Sequence, residues 1–538
     1  MVPNILWLVT MIVFKSWKAN AIWYPLVNTS MGLIEGIYDD YGEYSMFMGI
    51  PYAHVNTSNP FGAAIPQKPF ENIFQAHNDL ARCPQIEEFT FNLTGSLDCL
   101  HINIYVPRTS SPKSPLPVLV SIHGGHYSIG FSGRYVYGPK FFMRQDIIFV
   151  TFNYRLGVYG FMCLDSPEIP GNQGLKDQAL ALKWIKNNID AFGGDPNKIT
   201  VIGVSSGAAD VDFHLIFNKE KPFDQAILES GSVFLPIFTK PDKDAPQKLS
   251  TYLGVATNDF HEAIAFLASV DPYKIIAASK ELNIIVSPCV EEKFEGIDQF
   301  IDRDWTHLSV PNVSGMSIIL GYNRDEKFDY YVNEAQSYFD KLNVFHQQLA
   351  VSFNKHHPNF EEMEKIVQHF YIGDGDQRDM KNKFDIAEFD SDITFIFPMH
   401  RTISSYINNN VSQIYHYMFS YVGNRNFAKR RLKLNGSYVI HADEIGYLFD
   451  ISYMNEPRSA EDQLMIDRLT TLWANFVKYG NPTPETTKLL PLPWKPITKD
   501  SPLYCMDINL DMKLMTRNHR KRMAFWELFY KANKDLQI

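Results

Sequence analysis

The sequence has no excess of positive charge and, after its first residues, no long apolar run. Its 538 residues carry 50 Lys and Arg against 60 Asp and Glu, which gives a net charge of −10. Because proteins that bind nucleic acid usually present a basic surface, this balance argues against nucleic acid as a partner. No apolar run beyond the N-terminus is long enough to cross a bilayer, so we expect no membrane span. No internal repeat or low-complexity tract is visible either.

Cysteine is scarce, and its count is odd. Of the five cysteines, Cys83 and Cys99 enclose a short polar loop and are the best candidates for a disulfide. Cys163, Cys289 and Cys505 lie in apolar contexts, which favours buried thiols. No cysteine has the spacing from histidine that a metal site requires, so we expect neither a metal nor a cofactor.

The N-terminus has the pattern of a secretory signal peptide. An apolar run over residues 5–14 is followed by Ala19-Asn20-Ala21, a typical cleavage signal. A buried N-terminal strand is the alternative. We expect residues 1–21 to be removed and the mature protein to be extracellular. Asn-x-Ser/Thr sequons, which are candidates for glycosylation in a secreted protein, begin at Asn28, Asn56, Asn92, Asn312, Asn410 and Asn435.

The middle of the chain alternates strand and helix patterns. Apolar runs at residues 118–122, 147–152, 199–202, 225–228 and 317–320 predict strands. Helical spacing of apolar residues predicts an amphipathic helix over 174–192, and a long helix is predicted over 461–479. Strands that alternate with helices indicate an α/β fold, in which a mostly parallel central sheet is covered by helices on both faces.

One stretch in this region carries a candidate nucleophile. Gly203-Val204-Ser205-Ser206-Gly207 fits the pattern G-x-S-x-G, between a β-prone run and a segment that can form a helix. A serine on a sharp turn between strand and helix projects its hydroxyl clear of the sheet. The flanking glycines remove side chains that would clash in so tight a turn. The pattern predicts Ser205 as a nucleophile; the alternative is a loop serine in a chance match.

A serine nucleophile requires a base, an acid that orients the base, and donors for an oxyanion. Glu326 and His441 each follow a β-prone run, and they occur in the chain order Ser, Glu, His that such hydrolases have. The chain has 16 histidines, so spacing alone does not select His441. The glycine-containing segment after residues 118–122 predicts an oxyanion hole made by the N–H groups of Gly125, His126 and Ser206.

Several blocks make the sequence similar to the type-B carboxylesterases, a family that includes cholinesterases and insect juvenile hormone esterases. The resemblance covers about residues 25–529, and its blocks are Phe-Met-Gly-Ile-Pro-Tyr-Ala at 47–53, Asp-Cys-Leu at 98–100, Asn-Tyr-Arg-Leu-Gly at 153–157, Ala-Phe-Gly-Gly-Asp-Pro at 191–196 and His-Ala-Asp-Glu at 441–444. It implies one α/β-hydrolase domain over residues 22–538, with long insertions. It also implies a triad of Ser205, Glu326 and His441 that hydrolyses small-molecule esters.

Other positions carry over from the same resemblance. Arg155 and Asp177 match a buried ion pair of the family, and Cys83 and Cys99 match its first disulfide. A second disulfide that is common in the family has no obvious cysteines in this sequence.

The departures from the family pattern bear on the substrate. Val204 stands where the family often has Glu, so a cationic substrate would lose a nearby negative charge. Leu282 and Ile284 resemble positions of the acyl pocket, and their aliphatic side chains suit an uncharged acyl group. His126 replaces the third glycine of the oxyanion segment. Its imidazole either narrows the site and slows turnover or turns aside without effect.

Two functions of different class remain. The first is a secreted serine carboxylic-ester hydrolase that acts on small, uncharged, lipophilic esters through an acyl-enzyme. The alternative is a non-catalytic relative that serves adhesion or ligand binding. Such relatives often lack a residue of the triad, and all three residues are present in this chain, which favours the enzyme.

Overall fold

The computed structural model describes residues 24–111, 113–238, 240–306, 311–454 and 457–537. The proposed signal peptide, residues 1–21, lies outside them. The described part of the chain is organised around a sheet of eleven strands. In chain order these are β1 Ile37–Tyr38, β2 Tyr44–Pro51, β3 His101–Pro107, β4 Leu116–Ile122, β5 Ile148–Phe152, β6 Gly194–Val204, β7 Gln225–Glu229, β8 Ser317–Asn323, β9 Gln413–Phe419, β10 Tyr504–Ile508 and β11 Lys513–Thr516.

The sheet is parallel at its centre and antiparallel at its ends. The strand order is β11-β10-β9-β8-β7-β6-β4-β5-β3-β2-β1. The pairs β5–β4, β4–β6, β6–β7, β7–β8, β8–β9 and β9–β10 are parallel. The pairs β10–β11, β5–β3, β3–β2 and β2–β1 are antiparallel. The carboxyl ends of the parallel strands therefore meet at one edge, where an α/β sheet holds its ligands.

Helices cover this sheet. Their bounds are α1 Lys140–Met143, α2 Gly157–Phe161, α3 Gln173–Asn188, α4 Ser206–Phe217, α5 Ala245–Tyr252, α6 Phe260–Ser269, α7 Pro272–Glu281, α8 Gln336–Phe339, α9 Val344–Ser352, α10 Phe360–Ile372, α11 Lys383–Ser391, α12 Phe397–Asn408, α13 Phe427–Arg431, α14 Ile445–Leu448, α15 Ala460–Tyr479 and α16 Arg520–Ala532. Smaller two- and three-stranded sheets are formed by Leu26–Thr29, Gly32–Glu35 and Phe74–Gln75, by Ala53–His54 and Ile65–Pro66, and by Gln85–Ile86 and Leu93–Thr94. None of the described helices combines the length and the apolar character needed to cross a bilayer.

The apolar core lies on both faces of the sheet. Along β4, Val118 and Val120 belong to one buried cluster and Leu119 to another. In β8, Ile318 and Ile319 separate in the same way. Because successive side chains of a strand point to opposite faces, a strand covered on both sides is apolar without a break. This explains the continuous apolar runs by which the sequence predicted these strands.

The predicted strands and helices are present, with one exception. The helix expected over 174–192 is α3 followed by a single 3-10 turn, Ile189–Phe192, and the helix expected over 461–479 is α15. The β-prone run before His441, by contrast, is not a strand. Its backbone is held instead by Asp443, whose carboxylate accepts hydrogen bonds from the N–H groups of Ile440 at 2.9 Å and Lys429 at 2.9 Å.

The disulfide between Cys83 and Cys99 is confirmed. The interpretation of Cys163 and Cys289 as free buried thiols is wrong, because these two cysteines form a second disulfide across 126 positions of sequence. Gly171 makes the contact possible, since a Cβ there would lie 2.6 Å from one sulfur and 2.9 Å from the other. Only Cys505 is a free cysteine among the described residues, and it is buried.

The buried ion pair expected from the resemblance is also present. The Arg155 guanidinium donates two bonds of 2.7 Å to the carboxylate of Asp177, and neither side chain is exposed. Its remaining donors reach the carbonyl oxygens of Pro60, at 3.1 Å, and Gly62, at 2.6 Å. A buried charge is tolerable only when it is paired and hydrogen-bonded, and this one satisfies both conditions.

Candidate active site

Ser205 occupies the turn between β6 and α4. Its backbone has φ 59° and ψ −126°, a strained conformation for a residue with a side chain. Its N–H donates a 2.8 Å bond to the carbonyl oxygen of Glu229 at the end of β7. The serine is therefore fixed at the carboxyl edge of the sheet by its own strand and by the neighbouring one.

The glycines of the motif are required by close backbone approaches around this turn. A Cβ at Gly203 would lie 2.1 Å from the carbonyl oxygen of Gly207, and one at Gly207 would lie 2.3 Å from that of Ile122. Gly124 approaches from the oxyanion segment, where a Cβ would lie 2.4 Å from the carbonyl oxygen of Val204. The sequence pattern thus reflects packing of three segments against the serine.

Glu326 and His441 lie in direct contact. His441 Nδ1 is 2.6 Å from Glu326 Oε2, and the His441 N–H donates to the Glu326 carbonyl at 3.1 Å. The other carboxylate oxygen of Glu326 accepts bonds of 2.6 Å from the Ser230 hydroxyl and the Asn323 N–H. The carboxylate is fully buried, whereas the imidazole is 25% exposed. This arrangement fixes the ring and its tautomer, and leaves Nε2 as the nitrogen available for proton transfer.

Ser205 is linked to this pair through two consecutive residues. Glu229 accepts the hydrogen bond of the Ser205 N–H, and the next residue, Ser230, donates its hydroxyl to Glu326. Ser230 is fully buried and has φ 51°, which turns the chain sharply at the end of β7. Sequence reasoning missed Ser230; the available signal was a Ser-Gly pair two residues after the end of the strand predicted over 225–228.

Carboxylates surround the imidazole and favour its charged form. Burial opposes protonation of His441, but the charges of Glu326, Glu444 and Asp329 outweigh it and raise the pKa of His441 above its ordinary value. Burial raises the pKa of Asp329 to about 6. Burial and the charge of Glu326 raise the pKa of Glu444 to about 7. The site is therefore organised to stabilise an imidazolium.

The expected oxyanion donors differ in their hydrogen bonds. The N–H of His126 donates to the hydroxyl of Ser206 at 3.0 Å, and Ser206 is fully buried. The N–H groups of Gly125 and Ser206 make no hydrogen bond to another described residue. His126 is an exposed residue in the left-handed region, with φ 53°. Of the three expected donors, His126 alone already has an acceptor.

An apolar wall adjoins the base. Phe395 stacks on the His441 ring, with centroids 4.4 Å apart, and packs with Ala209 and Leu235. Phe395 lies in a π-helical turn, Asp392–Ile396, a feature that is frequent at functional sites. No pattern in the sequence had marked it.

Of the three tentative pocket residues, Val204 adjoins the catalytic groups because it directly precedes Ser205, whereas Leu282 and Ile284 lie in another cluster. Val204 is buried in the core cluster that also contains Ile202. Leu282 and Ile284 pack in a smaller cluster that contains Tyr159. Ile284 also lines a cavity of about 1110 Å³, whose lining includes none of Ser205, Glu326 and His441. Their role in substrate binding stays a prediction.

Among the described residues, no three His, Cys, Asp or Glu side chains are grouped so that they could hold a metal ion. The chemistry that this site offers is that of its own side chains: a serine on a strained turn, an imidazole oriented by a buried carboxylate, and backbone N–H groups at a helix N-terminus.

Known proteins resemble this chain over nearly its whole length. The model of the carboxylesterase family matches residues 24–526. Esterase FE4 of Myzus persicae is 31% identical, over 88% of this chain and 87% of the relative. Juvenile hormone esterase of Tribolium castaneum is 28% identical over 95% and 96%, and cholinesterase of Mus musculus 29% identical over 94% and 87%.

A solved structure extends the likeness to the fold. Juvenile hormone esterase from Manduca sexta, with OTFP covalently attached, superposes with a TM-score of 0.78 at 25% identity, over 95% of this chain and 100% of that one. The fold is thus that of the α/β-hydrolases. With the family model matched over nearly the whole length, this chain belongs to the carboxylesterase family and is an ester hydrolase.

Proposed function

We propose that this protein is a secreted serine carboxylesterase that cleaves small, uncharged, lipophilic esters through an acyl-enzyme. The observation that carries the proposal is the 2.6 Å contact between His441 and Glu326, next to a serine on a strained strand-to-helix turn. A member of the family that only binds ligands has no need of a buried carboxylate aligned on an imidazole.

In the proposed mechanism, Ser205 Oγ attacks the ester carbonyl and His441 Nε2 takes its proton. Glu326 keeps the imidazole in the correct tautomer and stabilises the imidazolium. The N–H groups of Gly125, His126 and Ser206 stabilise the oxyanion. His441 then protonates the leaving alcohol and activates the water that hydrolyses the acyl-enzyme. The relative from Manduca sexta carries OTFP covalently attached, which supports a covalent step in this chain.

The preference for uncharged esters rests on the surroundings of the serine. Val204, next to the nucleophile, contributes no charge, and Phe395 and Leu235 supply apolar surface beside the base. An alkyl acyl group would be stabilised there by removal of apolar area from water. A cationic substrate would find no carboxylate at this position, whereas relatives that carry a Glu before the nucleophile offer one.

Two structural features support secretion. The two disulfides, Cys83–Cys99 and Cys163–Cys289, are typical of an oxidising compartment. Five of the six sequon asparagines, all except the half-buried Asn56, are exposed and thus accessible to glycosylation. We also propose a single domain over residues 22–538, since one sheet draws strands from positions 37 to 516.

The test combines active-site labelling with turnover. A fluorophosphonate should label the purified protein stoichiometrically, and Ser205→Ala should abolish both labelling and hydrolysis of p-nitrophenyl esters. Ser128→Ala, which changes an exposed serine of the oxyanion segment, is the matched control and should keep both. If the wild-type protein is folded but neither labels nor turns over any ester of a graded acyl series, the non-catalytic alternative replaces this proposal.

A further inference from the structure

A cavity with a volume of about 1110 Å³ lies apart from the proposed catalytic residues. This exceeds the range of about 300–1,000 Å³ that is typical of small-molecule sites. The cavity lies between the disulfide loop that carries Phe89, the helix α7, and the segment around α13. Since Ser205, Glu326 and His441 are not among its lining residues, its ligand is not defined by the hydrolytic chemistry.

The walls of the cavity are predominantly apolar. They are formed by aliphatic and aromatic side chains from four separate segments of the chain, namely Phe89, Ile129, Val158, Ile276, Ile284 and Val286. Ile276 is almost fully buried, and Ile284 is half-buried. Apolar walls of this extent favour a ligand with a long apolar body, because its burial removes apolar surface from water.

The charged residues at the cavity are nearly all basic. Five basic residues line it, Lys280, Lys429, Arg430, Arg431 and Lys433, against one acidic residue, Glu88. The whole protein, in contrast, has a net charge of −10. Glu88 forms an ion pair with Arg431, so these two charges offset each other, and the positive excess is carried by Lys280, Lys429 and Lys433. The local excess of positive charge therefore favours an anion.

The basic residues come from two sides of the cavity and differ in exposure. Lys280, near the end of α7, and Lys433, just beyond α13, are exposed. Lys429 is buried and its Nζ donates to the Gly436 carbonyl at 2.6 Å. Arg431 lies over the ring of Phe427 at 5.6 Å. Of the five basic side chains, Lys429 and Arg431 are thus held by other groups of the protein, whereas Lys280, Arg430 and Lys433 are exposed.

We propose that this cavity is a second ligand site, which binds a monoanionic amphiphile: an apolar chain that ends in a carboxylate. The apolar walls take up the chain, and the basic residues bind the carboxylate near the cavity opening. One wall is continuous with the oxyanion segment, because the Ile129 N–H donates to the Gly125 carbonyl at 3.1 Å and the Ser128 hydroxyl to the His126 carbonyl at 3.3 Å. A ligand there would contact Ser128 and Ile129, which hydrogen-bond to the backbone that carries two of the proposed donors.

The experiment measures binding of dodecanoate and of dodecanol to the full chain by calorimetry. The double variant Lys280→Glu/Lys433→Glu should weaken dodecanoate binding by about tenfold, because two partly screened attractions to the carboxylate become repulsions. The affinity for dodecanol, which has no charge, should stay within about twofold. The matched control, Lys274→Glu/Lys499→Glu, changes two exposed lysines outside the cavity and should change neither affinity.

A second pair of variants tests the apolar walls. Ile284→Trp should fill the cavity and abolish binding of both probes, whereas Ile285→Trp, at an exposed neighbour that does not line the cavity, should not. Absence of saturable dodecanoate binding, or equal binding by wild type and the charge-reversed variant, would overturn the proposal.

The inference does not rest on the proposed esterase mechanism, and inhibition kinetics separate the two. Dodecanoate should inhibit hydrolysis of p-nitrophenyl butyrate non-competitively, and Ile284→Trp should abolish that inhibition. Competitive inhibition that persists in Ile284→Trp would place the dodecanoate at Ser205 and refute a second site. If no ester is hydrolysed but binding follows the expected pattern, the esterase mechanism fails and the ligand site stands.

Discussion

The backbone N–H of His126 donates a 3.0 Å hydrogen bond to the hydroxyl of Ser206, the residue that follows the proposed nucleophile. Ser206 is fully buried, so this contact is protected from water. One of the three backbone donors expected to hold the oxyanion is thus engaged by a side chain of the same site. A substrate oxygen must compete with the Ser206 hydroxyl for that donor.

This contact predicts that Ser206→Ala raises kcat/KM for ester hydrolysis. A net hydrogen bond is worth about 1 kcal/mol, so freeing the donor corresponds to roughly a fivefold gain. Ser128→Ala, which removes a hydroxyl that bonds to the His126 carbonyl and not to its N–H, serves as the control. A loss of activity in Ser206→Ala would contradict this and would mean that the hydroxyl itself donates to the oxyanion.

His126→Gly should raise ester turnover and slow recovery from organophosphate inhibition. Glycine tolerates the φ of 53° at this position without strain, and it removes an imidazole that could activate water against a phosphorylated serine. His126→Ala removes the ring but keeps a side chain at the strained φ, so it distinguishes the effect of the imidazole from the effect of the backbone strain. Rates within about twofold of wild type in both variants, below roughly 0.5 kcal/mol, would make the imidazole a bystander.

The pH dependence should follow His441. Its pKa is raised, and only the neutral imidazole accepts the proton of Ser205, so kcat/KM should fall as the pH falls through a value above about 6.5. Asp329 contributes to the raised pKa, and Asp329→Asn should therefore shift the inflection to lower pH. Glu334→Gln, at an exposed position, should not shift it. An unchanged inflection in Asp329→Asn would show that this carboxylate does not act on the base.

Peptide mapping under non-reducing conditions should find Cys83 joined to Cys99 and Cys163 joined to Cys289. Cys505, which is buried, should react with alkylating reagents only after unfolding. Replacing Cys163 and Cys289 by Ser should lower the free energy of unfolding by about 4 kcal/mol, because a long loop is no longer closed in the unfolded chain. Chemical denaturation measures this loss, and a change below about 1 kcal/mol would argue that the bridge does not constrain the unfolded chain.

The sequence by itself determined the features that depend on local backbone geometry. The turn at Ser205 could be recognised because a Cβ at position 203 or 207 would lie only 2.1 or 2.3 Å from a carbonyl oxygen, so both positions require glycine. The strands of the parallel centre were readable because burial on both faces demands unbroken apolar runs. The short loop between Cys83 and Cys99 predicted its own disulfide.

Contacts between distant positions were decided only by the tertiary structure. The bond between His126 and Ser206 joins residues 80 positions apart, and the disulfide between Cys163 and Cys289 joins residues 126 positions apart. Stacking of Phe395 on His441 likewise depends on where a π-helical turn packs. The local sequence around either residue of such a pair does not indicate which residue is its partner. Which side chains meet is set by how the insertions pack around the sheet, because only close packing brings them within bonding distance.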